Sequence, residues 1–145
     1  MNIDFTGRSA VVTGASRGIG LAVARALAAG GARVTAGALH SSAELDKLAA
    51  EHPVTAVEVD LAAPGGPAEL VAHAGGRVDI LVNNVGGAPA RTGGFLSITD
   101  EDWLATLNLN VMAAVRATRA ALPSDVTGNV TGADIRIDGG LVPTW

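Results

Sequence analysis

The stretch Thr13-Gly14-Ala15-Ser16-Arg17-Gly18-Ile19-Gly20 constrains the fold of this chain more than any other. It follows a short apolar run, Ser9-Ala10-Val11-Val12, and opens an alanine-rich segment with helical spacing. A tight glycine turn between a buried strand and a helix N-terminus makes an anion cradle. Glycines permit φ > 0 and close backbone approach, and the free N–H groups at the helix start face the anion.

The remaining elements follow from periodicity and punctuation. Strand one covers Ser9 to Thr13. The first helix runs from about Arg17 to Ala29, with Ile19, Val23 and Leu27 recurring at helical spacing, and Gly30-Gly31 stops it. Strand two is Ala32 to Ala36. Ser42 is placed to cap a short helix through Ala50, closed by Pro53. Strand three, Val54 to Val59, ends at Asp60. Pro64-Gly65-Gly66-Pro67 reads as a turn, followed by a weak helix from Ala68 to Ala74. Strand four is Val78 to Val82. After a Pro/Gly loop over Ala88 to Leu96, Thr99 caps the longest helix, with Asp100, Glu101 and Asp102 in its first turn, where the helix dipole favours them. That helix runs to about Ala121, before Pro123. Ala133 to Ile137 alternates like a half-exposed fifth strand.

The order β-α-β-α-β-α-β-α-β with short connections predicts one α/β domain over residues 1–145. It is Rossmann-like, with a parallel sheet and helices on both faces. The expected strand order is 3-2-1-4-5, with the C-terminal strand in the fifth slot.

Composition excludes several classes. The chain has no Cys, hence no disulfide framework and no thiolate site, which agrees with a cytoplasmic protein. The net charge is −4 and the basic residues are scattered, which argues against a nucleic-acid partner. Arg25 interrupts the best apolar run, so no stretch spans a bilayer, and Met1 to Phe5 does not begin a signal peptide. His40, His52 and His73 lie in separate segments, so no metal site is expected.

The glycine stretch does not stand alone. Asp60-Leu61 after strand three, Asn83-Asn84-Val85-Gly86 after strand four, Asn110 in the long helix and the closing Val130 to Gly140 follow it in order. Together they resemble the short-chain dehydrogenase/reductase family over nearly the whole chain. The resemblance implies an oxidoreductase acting on CH–OH or C=O groups with a bound dinucleotide. It implies that Gly14, Gly18 and Gly20, with Ser16 between them, shape the pyrophosphate loop, and that Ile19 packs beneath the nicotinamide side. It implies that Asp60 accepts from the adenine amino group beside the Leu61 backbone. It implies that Asn83 and Gly86 line the ribose and the cleft floor, and that Asn110 holds a water or a helix kink beside the reaction centre. The plain structural alternatives are a strand-end cap for Asp60, turn formers at Asn83 and Asn84, and a buried helix amide at Asn110.

Cofactor choice leans to NADP, with NAD the alternative. The end of strand two, Gly37-Ala38-Leu39-His40-Ser41-Ser42, lacks the carboxylate that holds free ribose hydroxyls in NAD-preferring folds. Arg17 offers a cation to a 2′-phosphate, and Ser41 and Ser42 offer donors.

The family's proton transfer needs a Tyr, a Lys one helical turn later and a Ser on the preceding strand. This sequence has no Tyr, its only Lys is Lys47 in the second helix, and Ser124 lacks the strand context. The chain passes from Leu122-Pro123 straight to the C-terminal strand, as though the catalytic and substrate-binding block were excised. Three readings follow: a reductase by family whose turnover is doubtful, a non-catalytic dinucleotide-binding module, and a non-functional deletion product. The long helix also loses the helix that normally packs beside it, so Leu104, Leu107, Val111 and Val115 predict self-association.

Overall fold

A computed structural model of the chain describes residues 3–89 and 93–122. Four strands alternate with helices. β1 (Ser9–Thr13), α1 (Gly18–Ala29), β2 (Arg33–Ala38), α2 (Ala43–Glu51), β3 (Val54–Glu58), α3 (Gly66–Ala72) and β4 (Ile80–Val82) come first. α4 (Asp100–Leu107), a π-helical turn (Asn108–Met112) and α5 (Ala113–Ala121) follow. The sheet is parallel in the order β3-β2-β1-β4. This matches the expected order as far as the described residues reach. The fifth strand, Ala133 to Ile137, lies outside them.

β1 is central and buried along its whole length because each face of the sheet is covered. Ala10 and Val12 join Leu21, Ala24, Leu27, Leu45 and Leu48 of α1 and α2 on one face. Val11, one residue out of phase, joins Val57, Leu70, Val71 and Ala113 on the other, where α3 and α5 pack. Leu70 is fully buried, and Gly37 makes room for it: a Cβ at Gly37 would overlap the Leu70 side chain.

Local signals set the helix ends. α1 closes in a Schellman arrangement, with Gly31 at φ +93°, Gly31 N–H on the Ala28 carbonyl and Ala32 N–H on the Leu27 carbonyl, both at 3.0 Å. Ser42 Oγ accepts from Leu45 N–H at 3.1 Å and caps α2. Thr99 and Asp102 form a reciprocal capping box on α4.

Two expectations are corrected and one is made specific. The buried face of α1 is Gly20, Leu21, Ala24, Leu27 and Ala28, while Ile19 is 76% exposed. That face mixes two leucines with small residues, and at Gly20 no Cβ fits beside the Gly14 carbonyl. Gly66-Pro67 opens α3 instead of finishing a turn, since proline early in a helix forfeits only a bond that its position lacks anyway. The long helix is not uniform: a π-helical turn separates α4 from α5.

Candidate functional site

The cradle sits where the carboxyl end of β1 meets α1. Gly14 (φ +67°) and Gly18 (φ +57°) are in the left-handed region that L side chains avoid. Gly20 has ordinary φ but no space: a Cβ there would overlap the Gly14 carbonyl oxygen and lie 2.5 Å from Asn84 Nδ2. A Cβ on Gly14 would come within 2.9 Å of Val85 Cα. The two glycines therefore let the turn fold against both its own helix and the segment after β4. Ala15 N–H bonds the Gly37 carbonyl at 3.0 Å and fixes the turn to β2. No side chain caps α1, and no acidic residue stands in its first turn, so its positive end remains open to an anion. A diphosphate fits this arrangement. Arg17, at the N-cap, is exposed.

Thr13 and Asn84 lock the turn. Thr13 Oγ1 donates to the Val82 carbonyl at 3.3 Å and accepts from the N–H groups of Asn84 (2.9 Å) and Val85 (3.0 Å). Asn84 Nδ2 donates to the carbonyls of Thr13 (3.1 Å) and Gly14 (3.0 Å). Asn84 is thus the residue of the Asn-Asn pair that touches the cradle. Asn83 points elsewhere, donating to Thr118 Oγ1 of α5 at 3.1 Å. Two adjacent asparagines carry no sequence signal that separates these roles; the pleat direction at the end of β4 decides them.

Asp60 follows β3, and its Oδ1 accepts from Ala62 N–H at 2.9 Å, an Asx turn. Leu61 beside it is buried in the core. The Ala62 carbonyl accepts from Asn108 Nδ2 at 2.6 Å and from Arg116 at 3.5 Å, and Arg116 also donates to Asn108 Oδ1 at 2.8 Å. Asn108 and Arg116 gave no signal as site residues. They meet across the π-helical turn, eight residues apart.

Asn110 lies in that same turn. Its Oδ1 accepts from Gly87 N–H at 3.0 Å, and its Nδ2 donates to the Gly87 carbonyl at 2.7 Å and the Thr106 carbonyl at 2.8 Å. A Cβ on Gly86 would stand 2.8 Å from Asn110 Oδ1. The structure therefore brings Gly86 and Asn110 together, with the amide of Asn110 clasping the loop after β4. A π-helical turn is a recurrent means of re-aiming a functional side chain.

The end of β2 differs from the sequence expectation. Ser41 Oγ donates to Asp46 Oδ1 at 2.5 Å, and Ser42 Oγ donates to the Ser16 carbonyl at 2.5 Å. Both hydroxyls offered to a 2′-phosphate are engaged. Two carboxylates also converge here, since Glu58, from the end of β3, accepts from Ser41 N–H at 2.7 Å.

The amino ends of the strands carry different chemistry. Asp79 accepts from Ser9 N–H at 3.0 Å and pairs with Arg77 (3.0 Å) and Arg8 (3.4 Å). The Ser9 N–H bond, aided more weakly by Arg77 and Arg8 against a desolvation penalty, holds its carboxyl below the usual aspartate range. His52 and His73, distant in sequence, line one cavity of about 240 Å³ with Arg33 at this end. Among the described residues no group of three His, Cys, Asp or Glu is placed to hold a metal ion. None of the described helices is long and apolar enough to cross a membrane.

The family model for short chain dehydrogenases matches residues 8–134. The chain belongs to that family. It is 39% identical over 127 residues to the oxidoreductase UcpA of Escherichia coli K12, covering 82% of this chain and 47% of UcpA. It is 36% identical over 138 residues to L-xylulose reductase of Mesocricetus auratus, covering 94% of this chain and 55% of that enzyme. Among solved structures it resembles a Pseudomonas aeruginosa RhlG/NADP active-site complex, with TM-score 0.72 and 34% identity over 84% of this chain and 49% of that one. The chain spans about half the length of these relatives.

Proposed function

We propose that these residues form the dinucleotide-holding half of a short-chain dehydrogenase, binding NADP, or NAD as the alternative, without completing hydride transfer on their own. The cradle carries the reading: a glycine turn locked by Thr13 and Asn84 beneath the uncapped N-terminus of α1. The turn from Gly14 through Ser16, Arg17, Gly18 and Ile19 to Gly20 would hold the pyrophosphate. Asp60, with the Leu61 backbone, would hold the adenine, and Asn83 and Gly86 would border the ribose. Asn110, clasped to Gly87, would shape the nicotinamide end. The NADP lean rests on the exposed Arg17 cation and on the resemblance to the RhlG/NADP complex.

When bound, the dinucleotide supplies the hydride; these residues hold and orient it. Proton transfer is where they fall short. They include no Tyr, and Lys47 sits in α2, paired with Glu51 at 3.9 Å. Titrating NADPH and NADH against the chain, followed by nucleotide fluorescence, should show saturable binding. No saturation with either dinucleotide would overturn the reading. A ketone-reduction assay with NADPH should show no turnover by the 145-residue chain.

The same reading includes a cytoplasmic setting, checked by cell fractionation, and self-association. Leu96, Leu104 and Leu107 are 96%, 66% and 49% exposed, and Trp103, 46% exposed, packs edge-on against Phe95. Such a cluster on one surface fits burial against a second copy. Light scattering should show a mass above that of the monomer; a monomer at high concentration would exclude self-association while leaving the cofactor reading intact.

A further inference from the structure

We infer that Arg116 is a positioning residue for the base-recognition end of the site, acting through Asn108 and Ala62 on Asp60. The inference rests on the dinucleotide reading above. Its basis is a continuous chain of hydrogen bonds from α5 through the π-helical turn to the loop after β3, 46 residues earlier than Asn108. Arg116, on α5, donates to Asn108 Oδ1 at 2.8 Å. Asn108, in the π-helical turn, donates through Nδ2 to the Ala62 carbonyl at 2.6 Å. The Ala62 N–H donates in turn to Asp60 Oδ1 at 2.9 Å. Ala62 is thus held on both of its backbone polar groups, and one oxygen of the Asp60 carboxylate is fixed by it. Arg116 reaches the Ala62 carbonyl itself at 3.5 Å, a weaker second tie.

The chemistry of the chain is directional. Arg116 can only donate, so it occupies the amide oxygen of Asn108 and leaves the Nδ2 hydrogens for Ala62. With the Arg removed, the amide of Asn108 keeps only its bond to the Ala62 carbonyl, and the side chain is able to leave that carbonyl for water. The loop of Asp60 would then lose its anchor on the π-helical turn. No carboxylate pairs with Arg116 among the described residues, so its cation is spent on this amide and carbonyl pair. The same turn carries Asn110, which clasps Gly87 through two side-chain hydrogen bonds and donates a third to the Thr106 carbonyl. One helical irregularity therefore fixes both ends of the cleft: Asn108 the loop after β3, and Asn110 the loop after β4.

A role in positioning Asp60 has a signature that general loosening lacks. A carboxylate that accepts from the adenine amino group distinguishes adenine from hypoxanthine, which carries a carbonyl at that place. The test uses whichever of NADH and NADPH the parent chain binds, together with its hypoxanthine counterpart. Arg116→Met and Asn108→Asp are compared with the parent; Asn108→Asp still accepts from Arg116 but has no hydrogen for Ala62. The parent should prefer the adenine form by about tenfold, the value of one charge-assisted hydrogen bond. Both variants should lose most of that preference, while Arg116→Lys keeps part of it. Amide hydrogen exchange over residues 60–63 should quicken in both variants, with β1 and β2 unchanged. Equal weakening of the two nucleotides, or unchanged exchange over residues 60–63, would overturn the assignment. A parent chain that binds neither dinucleotide overturns the dinucleotide reading itself, and this assignment with it, whereas retained binding with undiminished base preference overturns the assignment alone.

Discussion

The half of the molecule around β1 and the half around α4 are held together by different means. In the first, residues 9–38 form two strands and a helix whose side chains close on one another: Ala10, Val12, Ala24 and Ala36 are fully covered, and the glycine turn fits against backbone on two sides. In the second, α4 buries none of its residues, although it is locally well specified by its capping box. What ties this half to the sheet is α5, through Ala113 and Ala117, and a set of amide hydrogen bonds: Asn108 and Asn110 grip the backbone of Ala62 and Gly87, and Asn83 donates to the Thr118 hydroxyl. The difference teaches where each half gets its precision. Apolar burial is strong and undirected, so it suits the sheet. Hydrogen bonds are individually modest but directional, so they suit loops whose placement matters more than their stability.

Truncation is the sharpest way to break that contrast. Leu70→Ala, which empties a fully buried site against Gly37, should cost about 2–5 kcal/mol in chemical denaturation. Leu104→Ala on α4 should stay within about 0.5 kcal/mol where the chain is dilute enough to be monomeric, and cost more where two copies associate. A loss at Leu104 that is as large as that at Leu70 and independent of protein concentration would show that α4 is packed within the single chain and would break the contrast.

Next in size is the glycine turn. Gly20→Ala places a Cβ into the Gly14 carbonyl, and such overpacking typically costs about 1–3 kcal/mol. Because the backbone of the cradle must move to relieve it, nucleotide binding should fall further than stability does. Calorimetric titration beside a thermal melt separates the two. Intact binding in a folded Gly20→Ala chain would count against the cradle as the pyrophosphate site.

The Asp79 cluster tests the sheet half from its other end. Its carboxyl is held low in the folded chain, chiefly by the Ser9 N–H. A group whose folded pKa is depressed stabilises fully above its unfolded pKa and loses that contribution as pH falls through the folded value. Acid unfolding of the parent should therefore steepen below about pH 4, and Asp79→Asn should flatten that part of the profile. The arginine pairs matter less, since both guanidinium groups are largely solvated, at 57% and 76% exposure. Added salt should leave the effect mostly in place.

The smallest expected effect concerns cofactor choice. Glu58 and Asp46 meet at Ser41, at the end of β2, where the proposed site would read a ribose 2′-substituent. Glu58→Gln should raise NADPH affinity by a factor of about 2–5, the scale of an exposed charge pair, and leave NADH unchanged. A parallel shift in both nucleotides would mean that Glu58 shapes the loop and does not act by charge.

Much of the sheet half was legible before the structure. Ser9 to Thr13 reads as a buried strand because its apolar residues are consecutive and followed by glycine. Ser42 and Thr99 read as caps because each precedes a helical pattern. The boundaries that slipped are those where two local rules compete, as at Gly66-Pro67, where turn residues also open a helix. The α4 half was legible as helix, and only the family resemblance, not the residues themselves, offered a kink at Asn110. Nothing in Asn108-Leu109-Asn110-Val111-Met112 has the glycine or proline that announces a break. The extra residue per turn is stabilised by bonds from Asn108 and Asn110 to loops some tens of residues away.

The sequence by itself determined the alternation of strands and helices, the glycine cradle, the capped helix starts and the family. All of these depend on neighbours within a few residues, where sterics and local hydrogen bonding dominate. Only the tertiary structure decided that Asn84 and not Asn83 grips the turn and that Glu58 reaches the end of β2. It alone decided that Ser41 and Ser42 are already committed, and that Arg116 stands behind Asp60. Those facts depend on which faces of separate elements meet, and a hydrogen bond across 46 or 71 residues leaves no periodic trace in either segment it joins.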